Sequence, residues 1–91
     1  MRSIVFHRRA ARYLLRMPRD RAVQMRDALR EIAGLANIAD HPNIKQMSGA
    51  MAGCSRLRVG SYRAVLQVTI IKLDEVLYVD AIGPRGDIYK G

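Results

Sequence analysis

Arg56, Arg58 and Arg63 stand in one short stretch, Ser55-Arg56-Leu57-Arg58-Val59-Gly60-Ser61-Tyr62-Arg63. A guanidinium is always charged and presents a planar fork of donors that fits phosphate or carboxylate oxygens. Period-two alternation puts Leu57 and Val59 on one face of a strand and Arg56 and Arg58 on the other. Gly60-Ser61 interrupts the run, and a second series of β-formers follows, so the stretch reads as a hairpin. A tight turn at Gly60-Ser61 sets Arg63 beside Arg58 across the hairpin, on the same side of the sheet. Arg85 comes after a further β-rich run, and Tyr89 follows it. Such a cluster can grip phosphates and stack a base. The alternative is a solvated basic face that receives an acidic protein.

Other chemistries find little material. His7, His41 and Cys54 are the soft metal ligands, and they show neither a paired-histidine spacing nor a CxxC. No structural zinc site or two-metal nuclease centre is expected, and no cofactor. His7 falls at a strand–helix junction and reads as a cap or surface residue; His41 beside Pro42 reads as a turn residue. Asp74, Glu75 and Asp80 do not form a glycosidase-like carboxylate pair. There is no P-loop, dinucleotide fingerprint or nucleophile elbow.

The composition narrows the partner. The 91 residues carry a formal net charge of +8, with thirteen arginines against three lysines. That length suits one small domain, residues 1–91, and 49% hydrophobic residues suffice for one modest core. An anionic partner is expected: nucleic acid, an acidic protein, or both. A single cysteine forms no intrachain disulfide, which suits a reducing cytoplasm. No signal-peptide segment or eighteen-residue apolar stretch is present, so no membrane association is expected.

The elements that must position the arginines follow in chain order. Ser3 to Phe6 reads as a strand. Ala10, Tyr13, Leu14 and Met17 recur at helical spacing over Arg8 to Met17, widened by Ala11 and Leu15, with Arg8, Arg9, Arg12 and Arg16 largely opposite. After Pro18 a second helix is predicted from Asp20 to about Ala36, with Ala22, Met25, Leu29, Ile32 and Ala36 as its stripe. Asn37 to Gly53 reads as a loop. Strands are predicted from about Cys54 to Val59, Tyr62 to Ile71 and Val76 to Ile82. Lys72 to Glu75 reads as a polar turn, and Gly83-Pro84-Arg85-Gly86 as a break. The order β-α-α-β-β-β implies an α+β fold, a two-helix hairpin packed on a small, largely antiparallel sheet.

These segments resemble the RelE/ParE superfamily of toxins from toxin–antitoxin pairs. Arg56-Leu57-Arg58-Val59-Gly60-Ser61-Tyr62-Arg63 matches the family's arginine-apolar-arginine, glycine, Tyr-Arg hairpin. Ile82-Gly83-Pro84-Arg85-Gly86-Asp87-Ile88-Tyr89 matches its arginine followed by an acid, an aliphatic residue and a final tyrosine. Lys45-Gln46-Met47-Ser48-Gly49 is similar to its lysine-x-leucine-x-glycine lead-in, with Met for Leu. The likeness spans nearly the whole chain and is most specific in the hairpin.

The resemblance implies a toxin that enters the ribosomal A site and cuts messenger RNA there without metal, the ribose 2′-hydroxyl attacking the adjacent phosphorus. Carried over by position, the catalytic set is Arg56, Arg58, Arg63, Arg85 and Tyr89, with Lys45 as a further RNA contact. Arg63 and Arg85 stand for stabilisation of phosphate charge, and Tyr89 for stacking on the base beside the cut. Some relatives carry lysine at the first two positions; arginine at 56 and 58 is a poor base, so the acid and base stay unassigned. The ParE-like branch, which poisons DNA gyrase, and a catalytically inactive basic module are the alternatives. The resemblance further implies a cognate antitoxin, often in a hetero-oligomer, with ribosome and messenger as other partners. Sequence-specific DNA binding is not expected of this chain, because its helical stripes suit packing on a sheet.

Overall fold

Ser3–Phe6 forms β1 and Arg8–Arg16 forms α1. In this computed structural model residues 1–84 are described, so Arg85 and Tyr89 lie outside the described residues. The His7 side chain caps α1, its Nδ1 accepting from the Arg9 N–H at 3.1 Å. The cap answers an orphan donor of the first turn. Met17 is extended, as the residue before a proline should be, and Pro18 precedes α2, Arg19–Ala33. The helix stops three residues short of the predicted Ala36.

Arg2 explains much of that stop. Its backbone N–H donates to the Ala33 carbonyl at 3.1 Å, and its guanidinium donates to the carbonyls of Leu35 and Ala36. Its Nε also pairs with Glu75 at 2.6 Å. One residue thus serves carbonyls at the helix end, through its backbone, and just beyond it, through its side chain, and ties them to the sheet.

Beyond α2, Ile44–Gln46 is a short strand, β2, where a loop was predicted. Ser55–Val59, Tyr62–Ile71 and Asp74–Pro84 are β3, β4 and β5. They form a sheet of order β1-β5-β4-β3-β2, with β1 parallel to β5 and every other pair antiparallel. The predicted α+β architecture is present, with one strand more than the sequence pattern revealed. Two boundaries also move. Asp74 and Glu75 belong to β5, and Gly83-Pro84 continues it. Proline fits there because the described β1–β5 pairing ends at Val79, leaving that side of Pro84 outside the ladder.

The β4–β5 turn is therefore only Lys72 and Leu73, with φ of +49° and +71°. Positive φ at both central residues is the primed turn that suits strand twist, normally filled by asparagine and glycine. Leu73 is 96% exposed, so its side chain packs on little. Leu73→Gly is expected to stabilise the fold by about 1 kcal/mol, read as a higher urea midpoint with unchanged slope.

Both helices pack on one face of the sheet. Ala10, Leu14 and Met17 from α1, and Ala22, Met25, Leu29, Ile32 and Ala33 from α2, meet Leu57, Ala64, Leu66, Leu77, Val79 and Ile82. Leu15 and Ala36, predicted for the stripes, are exposed. Val79 and Ile82 both reach the core although they are three residues apart. Val65 pairs with Ala81 while Leu66 pairs with Val79, so Asp80 is the extra residue of a β-bulge. Arg9 holds it, donating to the Asp80 carbonyl at 3.0 Å and pairing with its carboxylate at 2.8 Å.

Candidate nucleic-acid interface

The face of the sheet away from the helices carries the arginines. Lys45 on β2 is in register with Arg56 on β3, and Arg58 on β3 is in register with Arg63 on β4. Leu57 between them points the other way, into the core, with no exposed surface. Alternation along β3 thus does two tasks at once: it anchors the strand and projects its cations.

Register brings Arg58 and Arg63 especially close. The loop Gly60–Ser61 has two residues, and Val59 and Tyr62 flank it as partners. The next pair, Arg58 and Arg63, is then a non-hydrogen-bonded pair, where opposed side chains approach most nearly. The Arg58 N–H indeed turns the other way, donating to the Asn43 carbonyl at 3.1 Å. Like charges directly opposed are unfavourable in a sheet.

Gly60 makes this pairing possible. Its φ is +58°, and a Cβ there would meet nothing within 4 Å. The demand is conformational, the positive φ of a two-residue hairpin turn. Gly60→Ala is expected to cost about 1–2 kcal/mol and Gly60→Asn less, compared by chemical denaturation.

Pro42, Asn43, Ile44, Lys45, Arg56, Arg58 and Arg63 line a cleft of about 400 Å³. Four of these residues are cations and none is an acid. Lys45, Arg56 and Arg58 make no ion pair among the described residues. On the same face Val65 and Ala81 are buried, at 1% and 7% exposure.

The side of the cleft toward β2 is set by a residue that sequence alone placed only in a turn. His41 is buried; its Nδ1 accepts from the Asn43 N–H at 3.1 Å, and its Nε2 lies 3.3 Å from Glu31 of α2. The ring fastens the turn that leads into β2. Asn43 was not singled out by the sequence either, since its contribution is a backbone carbonyl, which no side-chain pattern reveals. His7, as expected, is a cap. Among the described residues no group of three or more potential metal ligands comes together. Among the described residues no histidine, aspartate or glutamate lines the cleft.

Of the residues chosen from the sequence, the structure brings Lys45, Arg56, Arg58 and Arg63 together. Arg85 and Tyr89 fall outside the described residues, although Pro84 ends β5 directly opposite Tyr62.

Two helices on one face of a β1-β5-β4-β3-β2 sheet, with a basic cleft on the other, define a toxin fold of the RelE/ParE superfamily. The chain belongs to the family described as ParE toxin of type II toxin–antitoxin system, parDE, whose model matches residues 4–89. It is the toxin of a toxin–antitoxin system. The fold is similar to that of the isolated E. coli RelE toxin, with a TM-score of 0.73 at 19% identity over 98% of this chain and 89% of that one. It is similar to RelE in the archaeal RelE–RelB complex from Pyrococcus horikoshii OT3, with a TM-score of 0.72 at 20% identity over 94% and 97%. It also resembles the YoeB/ParE toxin from Agrobacterium tumefaciens, with a TM-score of 0.67 at 18% identity over 91% and 98%. No curated protein matches the sequence.

Proposed function

We propose that this toxin is a ribosome-dependent, metal-independent endoribonuclease that cuts messenger RNA in the A site. The observation that carries this reading is the convergence of Lys45, Arg56, Arg58 and Arg63 from three adjacent strands on one cleft, with no acid among the described lining residues. A phosphodiester entering it meets several forked donors at once. In the reaction the ribose 2′-oxygen bonds to phosphorus and the bond from phosphorus to the 5′-oxygen breaks. The 2′-hydroxyl gives up its proton, the leaving 5′-oxygen gains one, and a 2′,3′-cyclic phosphate remains. Arg63, with Arg85, stabilises the charge that grows on the non-bridging oxygens, a contribution that is large when donors are preorganised. Arg56 and Arg58 hold the backbone, Lys45 adds a contact, and Tyr89 stacks on the neighbouring base to align the attack. Proton transfer is not assigned to Arg56, Arg58 or Arg63, because guanidinium is a poor base.

The toxin is held by a cognate antitoxin in this reading, as RelE is in the RelE–RelB complexes to which the fold is similar. An acidic segment would complement the +8 chain. A second reading is the ParE-like alternative, inhibition of DNA gyrase; the matching family carries the ParE name. Controlled expression separates the two. Growth arrest with loss of protein synthesis and trimmed A-site codons supports cleavage; arrest with DNA damage and intact messenger supports the second reading.

A further inference from the structure

The arginines of α1 are not used by the sheet site. Arg8, Arg12 and Arg16 are exposed and form no ion pair among the described residues. They recur every four residues, so their origins rise by about 6 Å per step along one side of the helix. That spacing is comparable with the distance between neighbouring phosphates of a nucleic-acid strand. Helix stability does not account for them: the first turn has no acid, and Arg8 there opposes the helix dipole. Arg9 differs, being occupied with Asp80.

Together with His7, Arg9 and Tyr13 these arginines line a cleft of about 310 Å³. Tyr13 is fixed by an edge-on contact with Tyr62, ring centres 6.3 Å apart. Its pKa is raised by burial and by the neighbouring Tyr62. With its ring packed against Tyr62 and its hydroxyl protonated, Tyr13 adds a hydrogen-bond donor to the row. Because α1 packs on the helix-bearing face, the ladder is separate from Lys45, Arg56, Arg58 and Arg63 on the opposite face.

We propose that Arg8, Arg12 and Arg16, with Tyr13, form a second nucleic-acid surface that docks on the phosphate backbone of double-helical RNA. A rigid row of charges without an exposed stacking platform suits a regular backbone; single strands are held through stacked bases. The sheet cleft then handles an unpaired strand while α1 rides on an adjoining duplex. The inference builds on the RNA-directed reading of this toxin, but its test does not require cleavage.

The test is fluorescence anisotropy of the whole chain with a blunt RNA duplex and with a single strand, across a salt series. Replacing Arg8, Arg12 and Arg16 by glutamine is expected to weaken duplex binding at 100 mM salt about 10- to 100-fold and to reduce the salt slope by about three. Single-strand affinity should change far less, and Arg58→Gln with Arg63→Gln should show the reverse pattern. Arg21→Gln, Arg26→Gln and Arg30→Gln, exposed on α2, remove the same charge elsewhere. The proposal is overturned if this control weakens the duplex equally, if the ladder variant binds it like the parent, or if a glutamate-rich peptide binds the parent more tightly than the duplex does. A protein that never cuts RNA yet loses duplex affinity with the ladder contradicts the cleavage reading and supports this one.

Discussion

Replacing Arg63 by glutamine is expected to lower the rate of messenger cleavage about 10²- to 10³-fold while leaving the protein folded, the loss typical of removing one preorganised donor from a developing negative charge. Arg63 is half-buried on β4, in register with Arg58. A charge so placed is held in one position before substrate arrives. Glutamine keeps a donor and much of the side-chain length but removes the charge and the fork. The loss should fall mainly on kcat, since charge grows in the transition state. Stability separates this effect from damage to the fold. Arg58→Gln relieves a directly opposed like-charge pair and should raise stability by a few tenths of a kcal/mol. A mutation that weakens function while strengthening the fold identifies a pair kept for binding.

Leu57→Ala should do the opposite. Leu57 sits between Arg56 and Arg58 in the chain, has no exposed surface, and packs in register with Ile44 and Ala64. Truncation leaves a cavity in the middle of the core, and the cost is about 3 kcal/mol. For a chain of this size that lowers Tm by roughly 15 °C. Thermal unfolding followed by circular dichroism reads the loss. Well below the new Tm, cleavage per folded molecule should stay within a few-fold of the parent, because Leu57 faces away from the cleft. Full stability with abolished cleavage would mean that strand β3 is oriented the other way.

The contrast between residues 57 and 58 explains what the sequence disclosed. Alternation at Ser55–Val59 is strict, so the faces, the hairpin and the meeting of Arg58 with Arg63 could all be read in advance. The helix pair was equally legible, because Ala10, Leu14, Met25, Leu29 and Ile32 recur at helical spacing. Strand β2 was not. Three residues carry too little periodicity, and Ile44–Gln46 is a strand because β3 pairs with it and His41 fastens the turn before it. The bulge at Asp80 breaks the alternation that would have shown Val79 and Ile82 sharing a face. The β4–β5 turn looked four residues long because leucine in a left-handed conformation is not a turn signal. The early end of α2 depends on Arg2, distant in sequence from the carbonyls it serves. In each case a tertiary contact decided what local pattern left open.

The central claim is that the basic cleft positions a phosphodiester of ribosome-bound messenger for attack by its own 2′-hydroxyl. It is tested most directly by adding purified toxin to ribosomes programmed with a defined messenger, in the presence of a chelator, and mapping the ends of the product. The account predicts a cut within the A-site codon that leaves a 2′,3′-cyclic phosphate and is abolished by a single 2′-deoxyribose at that position. An intact messenger, in a preparation that halts supercoiling by DNA gyrase, would contradict it.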